Sequence, residues 1–190
     1  MKKVYVEIPD GKSAKWINGV LTLTDDEPKD IKDRVKTFDD ACTVVKEFNP
    51  ALVEQYEAID DVDRDLTAFL KLRIICAALN EGWTPQIKDG EYRWYPWFYL
   101  YTQDELDNMD KEEKHSQRGL LLGGAAGDGS IAGLGCAGSC DAPSDSFAFV
   151  GSRLCLKNED LSNYFGKQFI EIWSAFLFPE RPITKSNWEE

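Results

Sequence analysis

The chain has a single histidine, His115, and this scarcity removes most histidine-dependent chemistry. A hydrolytic triad needs a base beside a nucleophile, whereas His115 follows the charged run Asp110-Lys111-Glu112-Glu113-Lys114 and reads as an exposed surface residue. No Gly-Lys-Ser/Thr sequence occurs, so a Walker phosphate loop is absent. No apolar run approaches the roughly 18 residues that a membrane-crossing helix requires, and membrane insertion is not expected. The start, Met1 to Glu7, meets an acid and then Pro9 before an apolar signal core could form, so no signal peptide is expected. Basic residues are also short: 22 Lys plus Arg stand against 34 Asp plus Glu, a formal net charge of −12. Without clustered cations, direct nucleic-acid binding is not expected. The five cysteines are odd in number and widely spread, unlike a secreted disulfide framework, and point to reduced thiols in a cytoplasm.

What is present suits a globular protein. Hydrophobic residues make up 43% of the 190 positions and aromatics 12%, including 6 Trp, which is enough to bury the core of a single domain over residues 1–190. Lys3 to Ile8 and Lys15 to Thr24 are strand-like around Pro9-Asp10-Gly11 and predict an N-terminal hairpin. Asn18-Gly19 is the alternative turn, of a shorter one. Residues 25–36 mix acids and bases without periodicity and read as an exposed connector.

Thr37, with Asp40 three residues on, predicts a capped helix carrying Phe38, Ala41, Cys42, Val45 and Phe48 on one face. Asn49-Pro50 starts a short second helix. Val62 to Asn80 repeats Leu66, Phe69, Leu70, Ile74, Ala77 and Ala78 at helical spacing and ends at Gly82, marking a core helix. Glu91 to Tyr101 holds seven aromatics and predicts a strand, with Pro96 demanding an edge or a bulge. Alternation sends Tyr92, Trp94, Phe98 and Leu100 to one face and Arg93, Tyr95, Trp97, Tyr99 and Tyr101 to the other. The simplest account is one buried face and one partly exposed, rather than a dedicated aromatic platform. Thr102 caps an acidic surface helix to about Lys114. Phe147 to Lys157 reads as a strand, and Asn158 to Phe178 as a second long core helix striped by Leu161, Phe165, Phe169, Ile172 and Phe176. Residues 179–190 read as a tail.

Residues 118–146 differ in character, with eight of the fourteen glycines lying between Gly119 and Gly138. Glycine at this density disfavours helix and reads as a long loop. Gly133-Leu134-Gly135-Cys136-Ala137-Gly138 matches the dinucleotide fingerprint in letters, but Ser139 to Ser146, with Pro143, cannot open the helix that motif requires. Cys136 and Cys140 are half a zinc site at best. Catalytic residues, metal ligands and cofactors are therefore all expected to be none. In this reading the loop offers Asp128, Ser130, Ile131, Leu134, Ser139, Asp141 and Ser144 for contact, and Arg153 anchors its base.

Lys15-Trp16-Ile17-Asn18-Gly19-Val20-Leu21-Thr22-Leu23, Ala77 to Pro85, Tyr95-Pro96-Trp97-Phe98, Val150 to Cys155 and Gly166-Lys167-Gln168-Phe169 resemble an uncharacterised protein family of phages, prophages and mobile elements of gut Bacteroidetes. The resemblance covers nearly the whole chain and implies no particular activity. It does imply wide variation before Gly151-Ser152-Arg153-Leu154. A local likeness, over residues 118–154, is to the C-type-lectin-like variable proteins of diversity-generating retroelements, with Ser152 where their frame has an aromatic.

The expected protein is thus α+β: mainly antiparallel sheet with an N-terminal hairpin, two long core helices and a long Gly-rich loop. The function expected from the resemblance is non-enzymatic binding of a protein or glycan ligand through that variable loop. The alternatives are an acidic protein that blocks a host protein, as an antidefence factor or nucleic-acid mimic, and a virion structural component. A cytoplasmic place is expected on synthesis, with virion association the alternative.

Overall fold

The computed structural model describes residues 5–25, 30–59, 63–86, 88–116, 121–126, 131–143, 154–178 and 183. Its elements are helices with two small antiparallel sheets, an α+β architecture. The first sheet is a hairpin of β1 (Lys12–Ile17) and β2 (Val20–Asp25), turned at Asn18-Gly19, where both residues have positive φ. Asn-Gly supplies that backbone at little cost, so the shorter hairpin forms and residues 5–9 stay outside any ladder.

Four helices follow: α1 (Ile31–Arg34), α2 (Phe38–Lys46), α3 (Pro50–Glu57) and α4 (Arg64–Leu79). The Thr37–Asp40 capping box is present in both directions, and Pro50 opens α3. Gly82 follows α4 at φ 79, where the helix ends. The exposed connector expected at 25–36 is corrected in part, because Ile31 and Val35 are buried in the main core.

The second sheet has the order β3-β5-β4, from β3 (Tyr92–Tyr101), β4 (Leu121–Ala126) and β5 (Ile131–Pro143). This corrects the Gly-rich loop: much of residues 118–146 is strand, and β5 is central. Glycine is poor at specifying a strand, but here partners on both sides fix one. Between β3 and β4 lie α5 (Gln103–Asn108), capped by Thr102, and α6 (Lys111–Ser116), so the expected acidic helix is split. Its Leu106 is buried against Ala132.

The second long helix is likewise two, α7 (Glu159–Gln168) and α8 (Ile170–Leu177), broken at Phe169. The break redirects the chain, since α7 packs on β3 and β5 whereas α8 packs on α4. Phe165, Phe169 and Trp173 close the main core over Leu72, Ile75 and Leu79. From the expected strand at 147–157, residues 147–153 lie outside the described residues, and Leu156 forms a single antiparallel bridge to Trp94. In the expected tail, Ile183 is buried against Leu134, Cys136 and Ile170, and its carbonyl accepts a hydrogen bond from the Ser174 hydroxyl at 2.6 Å.

Candidate functional site

β3 is an amphipathic ribbon whose two faces do different work. Its Pro96 and Phe98 face α7: a Cβ built on Gly166 would lie 2.7 Å from that of Pro96 and 3.7 Å from the Phe98 ring, so the bare helix backbone at Gly166 meets the side chains of the strand. Phe98 continues this face onto Trp173, with ring centroids 5.2 Å apart. Trp94 exchanges both backbone hydrogen bonds with Leu156, so by alternation position 96 also points outward from the sheet, where proline's missing donor breaks no β5 bond.

Tyr95, Trp97, Tyr99 and Tyr101 form a row on the opposite face, whereas Arg93 is buried. Trp97 and Tyr99 meet edge to face at 4.7 Å, and Tyr99 lies 6.0 Å from Tyr101. Trp97 is 45% exposed and Tyr99 48%, whereas Tyr95 and Tyr101 are half-buried. Across the ladder, Tyr99 faces Gly135 and Tyr101 faces Gly133, both buried. With no side chain on β5 at these positions, the rings have room to lie over the neighbouring strand. The row ends at a depression of about 370 Å³ lined by Tyr101, Asp104, Glu105, Asn108, Met109 and Glu113. The Glu105 carboxylate accepts the Thr102 N–H at 2.7 Å and its hydroxyl at 2.9 Å, and these bonds hold its pKa below the usual carboxylate value.

The register shifts between Trp97 and Phe98, leaving Ala137 as the extra residue of β5, followed by Gly138 at φ 150. This bulge separates the two cysteines. Cys136 is buried beneath Gly166, and Cys140 is exposed across from Tyr95 on the other face, so the pair does not converge on one ion. Burial raises the Cys76, Cys136 and Cys155 thiol pKa values, most strongly for Cys76.

The expected contact residues are dispersed. Leu134 is fully buried, which removes it from any contact surface; Ile131 is half-buried against the same cluster. The Ser139 hydroxyl donates to Asn163 Oδ1 at 3.0 Å, tying β5 to α7. Asp141 is exposed. Asp128, Ser130, Ser144 and Arg153 lie outside the described residues. The sequence pattern divided β3 into a buried and a partly exposed face; this is corrected at Arg93, which is buried, and at Tyr92 and Leu100, which are exposed, because the core covers only the middle of the strand, and the glycines across from the rings could not be found without the register. No family model, curated protein or solved structure matches the chain.

Proposed function

We propose that this chain is a non-enzymatic binding protein that holds a protein partner against the outer face of its β3-β5-β4 sheet. The observation carrying this reading is the row of Trp97, Tyr99 and Tyr101, each across from a glycine of β5, on a strand whose Pro96 and Phe98 are fixed to the core. Tryptophan and tyrosine supply large contact area at low conformational cost and are enriched among interface hot spots. The tilts of 69° and 44° between successive rings favour the relief of a folded protein over a run of stacked sugars. A net charge of −12 steers a basic partner and repels an acidic one. Burial of Cys76, Cys136 and Cys155 speaks against a nucleophilic role for these three sulfurs, because it keeps them in the poorly nucleophilic protonated form.

The resemblance to phage and mobile-element proteins suggests the setting: a protein made in the host cytoplasm, or carried on a virion, that engages a host partner. Asp128, Ser130, Asp141 and Ser144 are the expected changeable positions; of these Asp141 lies among the described residues, across from Trp94. The test compares Trp97→Ala/Tyr99→Ala with a variant scrambled at those four positions. Partner capture from host lysate should be lost in the first and altered in the second, with thermal midpoints close to the parent's. Undiminished capture by the aromatic double variant overturns the proposal.

A further inference from the structure

A groove between α4 and α8 is lined by charges that the protein itself does not pair. Positions 64, 67, 68 and 71 recur at helical spacing, so Arg64, Thr67, Ala68 and Lys71 share one face of α4. From α8, Glu171, Ile172 and Ala175 line the same space, which measures about 370 Å³. Ala68 is buried and Ile172 and Ala175 are half-buried, which gives the groove an apolar floor. None of these residues belongs to the β3-β5-β4 sheet.

Lys71 is half-buried, and its ammonium lies 5.6 Å from the centre of the Phe38 ring and 5.7 Å from that of Tyr56. The two rings hold this cation in place without neutralising it. Among the described residues, none makes an ion pair or a hydrogen bond with the side chain of Arg64, Lys71 or Glu171. One cavity therefore presents two cations and one carboxylate, all unspent, around an apolar floor.

This combination selects a ligand by charge. A simple anion meets Glu171 and a chain of net charge −12, whereas a simple cation meets Lys71 and Arg64. A zwitterion with an apolar side chain avoids both penalties and uses the floor as well. The volume suits a small ligand, lying near the lower end of the roughly 300–1,000 Å³ usual for such pockets. We propose that the groove binds a small apolar zwitterion of the amino-acid class. Lys71 takes its carboxylate, Glu171 its ammonium, and Ala68, Ile172 and Ala175 its side chain. Arg64, exposed two helical turns before Lys71, steers the carboxylate inward. This site is independent of protein binding on the sheet face.

Leucine is the probe, compared with isocaproate, which lacks the ammonium, isoamylamine, which lacks the carboxylate, and glycine, which lacks the side chain. Titrated into the full chain, leucine should shift the methyl resonances of Ala68 and Ala175 saturably. The other three should each bind at least about ten-fold more weakly. Lys71→Met should reduce leucine binding to the level of isoamylamine, and Glu171→Gln to that of isocaproate. Glu171 is exposed, so Glu171→Gln keeps the fold and decides the matter even where Lys71→Met loses it. No saturable shift with leucine, a singly charged analogue that binds as well, or leucine binding unchanged by Glu171→Gln overturns the proposal. So does a response at Trp97 and Tyr99 in place of Ala68 and Ala175, which would assign the ligand to the sheet face.

Discussion

Gly166 of α7 lies so close to Cys136 of β5 that a Cβ on the glycine would sit 2.6 Å from the sulfur, and the same Cβ would meet Pro96 of β3. One glycine therefore sets the distance between the helix layer and two strands. Gly166→Ala should cost about 1–3 kcal/mol through overpacking, read from the denaturation midpoint. A variant as stable as the parent would show that the layers can separate freely.

Asn80 should be a costly residue to lose. Its buried amide donates to the Cys155 carbonyl at 2.8 Å and accepts the Lys157 N–H at 3.0 Å, tying the end of α4 to the segment before α7. Asn80→Ala strands a carbonyl and an N–H, and a loss of about 1–3 kcal/mol is expected for such unsatisfied groups. Urea unfolding of the variant checks it; no loss would mean that water replaces the amide.

The capping box at α2 gives a pH prediction. Hydrogen bonding, chiefly from the Thr37 side chain, lowers the Asp40 pKa below its ordinary value. A lowered folded-state pKa contributes stability that is complete above the unfolded value and is lost as pH falls through the folded one. Parent and Asp40→Asn should therefore differ most in stability near neutrality and converge in acid below the ordinary carboxylate range. Thermal midpoints measured across that range test this, and a difference that grows toward acid would contradict it.

Thiol reactivity should follow burial. Cys140 is exposed, whereas Cys76, Cys136 and Cys155 are buried and shifted toward the protonated form, and Cys42 is half-buried with its pKa also raised by burial. In native protein at neutral pH, one thiol should label rapidly, and Cys140→Ser should remove that phase. Chelator should leave the thermal midpoint unchanged, because the bulge at Ala137 parts Cys136 from Cys140. Metal at one equivalent, or rapid labelling of Cys76, would contradict this arrangement.

The features legible in sequence were those decided within a few residues. Thr37 with Asp40, Pro50 and Gly82 announce helix ends because caps and left-handed turns are local chemistry. The faces of β3 were legible only in its middle, from Tyr95 to Tyr99, because the bulge lies in β5; toward the ends Arg93 is buried on the face expected to be partly exposed, and Tyr92 and Leu100 are exposed on the face expected to be buried. The Gly-rich tract was not legible, since glycine encodes no cross-strand partner; Leu134 looked available for contact and is core. The break at Phe169 was equally hidden, because its stripe continues at helical spacing while the two halves meet different layers. Within the candidate site, the rings were visible in the sequence but the glycines across the ladder from them were not.

The closure of the main core by α7 and α8 has a consequence during synthesis. Leu72, Ile75 and Leu79 leave the ribosome about 90 residues before Phe169, their packing partner in the same cluster, a delay of roughly 5 to 20 s at usual elongation rates. Through that interval α2 and α3 can shield only one side of α4, and the nascent chain presents an apolar helix face to solvent. Chaperone occupancy should therefore begin as α4 emerges and end only once Phe169 and Trp173 are free to close the core.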